Sequence, residues 1–224
     1  MFRELMKIWS EQAFSSRIVE DFLFMLDSSE EMLSYAFKTL THKSKAKKFQ
    51  QKIYYKDQTI NLKEKEIRKQ VLIHLSTNPG SNLPANLALI SITKDAERLG
   101  DYIKNLFELN NLLKDSKCDY KIFTKLLDES GQKLLTLFSK VSTAFKNSDK
   151  ELALEAVKEA REISKRCEEI ILEIVESEYT TRQAVVLALG TRYIKRLALH
   201  LSNIASSIIN PLPELDYIKQ DISI

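Results

Sequence analysis

The residues best suited to chemistry in this 224-residue chain are carboxylates set one helical turn apart. Glu97 and Asp101 stand at i, i+4 spacing, while Asp57, Asn61 and Glu64 share one face of an earlier helical stretch. Two like charges one turn apart repel unless a cation lies between them, and hard cations seek oxygen ligands at this separation. If the two stretches pack antiparallel, the oxygens of all five residues would converge on a multi-carboxylate site. The bland alternative is that these charges simply solvate outer helix faces. On a helical wheel Ile92, Ala96, Leu99, Ile103, Leu106 and Phe107 fall within one arc, and Glu97, Asp101, Lys104 and Glu108 fall opposite. Glu97 and Asp101 are therefore expected to point away from the core.

Other chemistries find less support. His42, His74 and His200 are scattered, and none follows a Glu at the E-x-x-H spacing of di-iron bundles. No HExxH, P-loop or GxGxxG occurs. Glycoside cleavage by paired carboxylates needs a cleft, which a convex helix face does not offer. With no catalytic constellation, the chain reads as a binding or regulatory protein and not an enzyme. Lys43, Lys45, Lys47, Lys48, Lys52 and Lys56 form a basic stretch. It would suit an acidic partner face or the cytoplasmic side of a membrane, against a plainer reading as a solvated loop and helix start. The net charge of +3 is too mild for nucleic-acid binding. Cys118 and Cys167 form neither a framework nor a CxxC pair, as expected of buried thiols in a reducing cytoplasm. No apolar run approaches the length of a membrane span, and the start of the chain carries Arg3, Glu4 and Lys7 within its apolar stretch, unlike a signal peptide.

Helices must position these groups. Gly and Pro number four each, too few for the turns of a β-sandwich or an α/β fold of this size. Helical periodicity runs almost throughout. A short amphipathic segment (Phe2, Leu5, Met6, Trp9) opens the chain. Six long helices are then expected, over about 15–41, 48–76, 83–113, 120–146, 150–177 and from about 182 to 209. In the first, Ile18, Phe22, Met25, Met32, Leu33 and Phe37 form the apolar side. Breaks fall at Asn78-Pro79-Gly80-Ser81-Asn82, Lys114–Asp119, Asn147-Ser148-Asp149, Glu178–Thr181 and Asn210-Pro211-Leu212-Pro213. Short links make sequential neighbours antiparallel.

The six helices also repeat three by three. At an offset of 98 residues Arg98 meets Arg196, Leu99 meets Leu197, Gly100 meets Ala198, Asn105 meets Asn203 and Leu106 meets Ile204. The chain is thus read as all-α, two copies of a three-helix bundle or one fused bundle with pseudo-two-fold symmetry. The units are 1–114 and 115–210, followed by a tail, 211–224.

The stretch Asp95-Ala96-Glu97-Arg98-Leu99-Gly100-Asp101-Tyr102, with Asn105 four residues beyond Asp101, resembles the signature helix of the PhoU family of phosphate-signalling regulators, D-x-E-R-(I/L)-G-D. Asp57, Asn61 and Glu64 resemble that family's other acidic helix. Arg192-Tyr193, Arg196, Ala198, His200 and Asn203-Ile204 resemble its second-repeat signature, R-Y-L-E-R-x-A-D-H-x-x-N-I. The resemblance covers about 15–210 and implies tandem PhoU repeats in a cytoplasmic, non-enzymatic regulator. It implies a phosphate transporter or sensor kinase as partner and a homodimer; peripheral association with membranes is what the basic stretch would add. It further implies surface metal bound through E/D-x-x-x-D pairs: iron, zinc, manganese or magnesium at Glu97, Asp101, Asp57 and Glu64. This chain departs from the pattern in places. Arg68 stands where Glu64's partner acid is expected, and Lys195 and Leu199 replace both acids of the second signature. Glu162 and Glu169 are the remaining carboxylates for a second site. That site is expected to be metal-free, with Lys195 neutralising one of them. The competing function is a helical scaffold or metal-buffering protein.

Overall fold

Helix boundaries follow capping chemistry. Asp149 caps α5 (Lys150–Val175), its side chain accepting from the Leu152 amide at 3.0 Å. Thr180 and Gln183 form a reciprocal capping box at the start of α6 (Thr181–Ile209). Asn82 accepts from the Ala85 amide at 3.2 Å at the start of α3 (Leu83–Leu113), with Pro84 in the first turn. The remaining helices are α1 (Ala13–Thr41), α2 (Ala46–Thr77) and α4 (Tyr120–Asn147). The fifth helix stops about two residues before the sequence-based end. There the Ser177 hydroxyl bonds the Ile174 carbonyl at 2.7 Å and competes with continuation of the ladder. The computed structural model describes residues 13–41, 46–78, 80–113 and 120–210. The opening segment with Phe2 and Trp9, Lys43 and Lys45, Cys118 and the tail lie outside the described residues. Among the described residues no strand occurs and no helix is long and apolar enough to cross a membrane.

Within each half the three helices pack on one another: α1, α2 and α3 in the first, α4, α5 and α6 in the second. The halves meet through two seams, α1 against α4 and α3 against α6. Both seams are antiparallel. Phe22 packs on Phe145 with ring centroids 4.6 Å apart, and Gly131 lies against the Phe37 ring, so the register runs in opposite directions along the two helices. A Cβ at position 131 would stand 2.6 Å from that ring, so glycine permits the close approach. Both seams therefore pair equivalent helices of the two repeats, as a pseudo-two-fold requires. One core runs through the whole. Ile18, Phe22, Met25, Met32 and Leu33 are 2% exposed or less, and the six apolar residues of the α3 arc are at most 4% exposed.

Candidate functional site

The third helix is more enclosed than an amphipathic pattern suggests. It touches α1, α2 and α6, so little of its circumference is left for water. Glu97, expected to point outward, is only 8% exposed, and Asp57 and Glu64 on α2 are 6% exposed. The wheel separated apolar from charged residues correctly, but the charged side faces α2 and not solvent. Helices α2 and α3 run antiparallel, as expected, and bring the acids together in two pairs.

Each pair is closed by a lysine of α3. Lys104 Nζ donates to Asp57 Oδ2 at 2.8 Å and to Asp101 Oδ1 at 3.2 Å. Lys94 Nζ donates to Glu97 Oε2 at 2.6 Å and lies 3.5 Å from Glu64 Oε1. Arginines complete the net: Arg68 reaches Glu64 at 3.0 Å, and Arg98 reaches Asp101 at 3.4 Å and Glu97 at 3.9 Å. Beyond Lys104, the Tyr54 hydroxyl of α2 donates to Glu108 at 2.6 Å, which raises the phenol pKa. Burial opposes the charge on Lys104, but its hydrogen bonds to Asp57 and Asp101 outweigh burial and its pKa is raised. Gly100 lies on this face, where an added Cβ would meet Ile60 Cδ1 at 3.2 Å and Asp57 Oδ1 at 3.8 Å. Its small size leaves room for the Ile60 side chain of α2 beside the lysine bridges.

The second repeat is built differently. Lys195, 98 residues beyond Glu97, pairs with Glu168 of α5. The sequence placed its partner at Glu162 or Glu169. Glu169 sits about 100° further around α5 and pairs with Arg166 at 3.3 Å, while Glu162 turns toward α4 beside Gln132, Lys133 and Thr136. Neither reaches Lys195.

A third group lies on the α3–α6 seam. His200 Nδ1 is 2.7 Å from Asp95 Oδ1, and Asn203 donates to the same oxygen at 3.1 Å. Tyr102 stacks on the His200 ring at 5.5 Å and lies 6.2 Å from Tyr193. Asp95 and Tyr193 are related by the offset of 98, as are Tyr102 and His200. The Asp95–His200 pair and the Tyr193–Tyr102 pair are thus the two symmetry-related halves of one seam. The sequence carried Asp95 and His200 in its motifs without pairing them, because contacts between repeats are not periodic along one helix. Lys94 and Lys104 were also missed as site residues. Their signal was the i, i+3 spacing to Glu97 and Asp101.

The basic stretch is partly engaged. Lys47, Lys48 and Lys52 of α2 are exposed, with Lys52 Nζ 5.5 Å from the Tyr35 ring centroid, while Lys56 pairs with Glu31 of α1 at 2.6 Å.

The PhoU domain family model matches residues 22–109 and 127–208, once in each repeat. The chain belongs to the PhoU family. Among solved structures, the phosphate transport system regulatory protein PhoU from Streptococcus pneumoniae superposes with a TM-score of 0.77 at 19% identity, over 92% of this chain and 97% of that one. PhoU from Pseudomonas aeruginosa superposes with a TM-score of 0.76 at 19% identity, over 88% and 96%. No curated protein matches the sequence. At this identity the solved structures establish the shared PhoU fold.

Metal binding through the acidic helices is what the PhoU resemblance implies, and the donor set speaks to it. Asn61 Oδ1 is a buried oxygen without a hydrogen-bond donor among the described residues, which alone would favour a cation, whereas the buried Glu64 Oε1 already has Arg68 at 3.0 Å and Lys94 at 3.5 Å. The charges decide otherwise. Asp57, Glu64, Glu97 and Asp101 supply four negative charges, and Arg68, Lys94, Arg98 and Lys104 supply four positive ones within 4 Å of them. A divalent ion placed about 4 Å from one ammonium would meet about 8 kcal/mol of repulsion at an effective dielectric of about 20. Among the described residues no three His, Cys, Asp or Glu side chains form a metal-holding group. As they stand, the residues do not fit a metal.

Proposed function

We propose that this chain is a PhoU-type regulator that adjusts phosphate transport and phosphate-starvation signalling by binding other proteins, with no chemistry of its own. The observation that carries this reading is the double match to the PhoU domain, one in each three-helix repeat. The solved neighbour that superposes over nearly its whole length is described as a phosphate transport system regulatory protein. Long helices presenting charged, half-buried faces suit recognition of another folded surface. The charged α2–α3 face is a contact between two helices and not a cleft in which a substrate could be held.

The partner proposed is a component of a phosphate transporter, or a sensor kinase associated with one. Exposed Lys47, Lys48 and Lys52 are proposed to face an anionic partner or membrane surface, consistent with a peripheral protein in the cytoplasm. A homodimer is proposed as its working form. Deleting the gene should change phosphate uptake and phosphate-responsive transcription when phosphate is plentiful. Unchanged uptake and unchanged transcription in the deletion strain would refute the reading.

A further inference from the structure

We infer that in this chain Lys94 and Lys104 occupy the places that cations would take between the acidic helices, so the α2–α3 face is closed by its own ammonium groups and operates without metal. The inference goes beyond the regulatory reading and stands on geometry alone. Lys104 lies between Asp57 of α2 and Asp101 of α3, and Lys94 lies between Glu64 of α2 and Glu97 of α3. Both do what a bridging ion would do: each joins one carboxylate from either helix and offsets their repulsion. A lysine ammonium carries three donors and one fixed charge, enough to hold two carboxylates but with no exchangeable coordination sites.

Burial makes the substitution exclusive. Asp57, Glu64 and Glu97 are each at most 8% exposed, so water screens their surroundings poorly. Four negative and four positive groups already balance there. A divalent ion would leave an excess of two positive charges beside these buried carboxylates unless lysines swung out. The same device occurs twice along α3, which makes accidental placement of a surface lysine a poor explanation. The Lys94 and Lys104 side chains also lie on the same helix as Glu97 and Asp101, at i, i+3, so half of each bridge is made within α3 itself. The consequence is a docking face whose shape does not depend on the supply of iron, zinc, manganese or magnesium.

The test uses the purified full chain. Equilibrium dialysis against Mn2+ and, separately, Zn2+ would be followed by metal analysis, with thermal melts in the presence and absence of each ion. The wild type should retain no more metal than an Asp57→Asn/Glu97→Gln variant. Lys94→Met/Lys104→Met should retain about one ion per chain or more, because the freed carboxylates then present oxygen ligands to a hard cation. That ion should raise its melting temperature while leaving the wild type's unchanged. Lys104→Met alone carries the same test at one pair if the double variant fails to fold. Wild-type metal that disappears in Asp57→Asn/Glu97→Gln would overturn the inference. So would folded lysine variants that gain no metal, since the lysines would then not be what keeps cations out. Neither result bears on phosphate uptake in a deletion strain, so the two readings fail separately.

Discussion

The α2–α3 face of the first repeat and the α5–α6 face of the second are copies of one plan that carry charge in different ways. In the first, four acids and four bases interlock, and three of the acids are almost fully buried. In the second, Lys195 and Glu168 form one pair, with the Glu168 side chain 63% exposed. The seam between the repeats keeps the placement of its symmetry-related pairs but not their chemistry, with Asp95–His200 on one side and Tyr193–Tyr102 on the other. The difference teaches where a duplicated fold is free to vary. Seam positions touch both repeats at once, so each change there is matched by its mate across the seam, whereas the faces that α2 and α5 turn to α3 and α6 answer only to their own repeat.

The strongest challenge to this contrast is to remove one lysine from each face. Lys104→Met leaves Asp57 buried without its ammonium. The expected loss is about 2–3 kcal/mol in urea unfolding, somewhat below that of a fully buried pair because Lys104 keeps some solvent contact. Lys195→Met should leave the urea midpoint unchanged within error. Equal losses at the two positions would abolish the distinction drawn here.

Next comes the seam. Asp95→Ala strips His200 and Asn203 of their shared acceptor and should cost about 1–2 kcal/mol. Its mirror, Tyr193→Phe, keeps the ring against Tyr102 and should cost less than about 0.5 kcal/mol. The same urea series reads both, and a reversed order would show that the aromatic half carries the seam.

A smaller effect is expected in alkali. The pKa of Lys104 is raised above its ordinary 10.5 in the folded chain. Its contribution is therefore complete below that value and is lost as pH rises through the higher folded pKa. Stability measured from pH 9 upward should fall less steeply in Lys104→Met than in the wild type. Lys63 and Lys140 are raised too, each by its carboxylate partners, so some alkaline decline will remain.

The smallest change concerns Cys167, which lies behind Lys195 on the second face. Burial pushes its thiol up to about 12. Peptide mapping after alkylation near neutral pH should find Cys167 unmodified in the native wild type and labelled after unfolding. Native Lys195→Met should give the same result, because burial and not the lysine governs the thiol. Rapid native labelling would mean that the second face opens more readily than its packing implies.

Much of this molecule was written in local pattern. Helix positions, the apolar arc from Ile92 to Phe107, the antiparallel order and the repeat at 98 residues all follow from periodicity, capping residues and short links. The acidic residues of the first site were legible individually. Their surroundings were not. The wheel assigned Glu97 to solvent because it assumes one buried side per helix, and α3 has three helical neighbours. The reassignment of Lys195 from Glu162 or Glu169 to Glu168 has a similar origin, since a turn of 100° per residue decides which of several nearby acids faces α6.

The amino-acid sequence by itself determined the all-helical architecture, its division into two equivalent halves and membership of the PhoU family, because periodicity and short motifs are properties of one strand of chain. Tertiary structure alone decided which charges became partners across helices. Lysines one turn from the acids could have pointed into water. They bridge two helices because α2 approaches α3 closely beside Gly100, and burial there leaves the carboxylates no better source of compensating charge than the ammonium groups at hand.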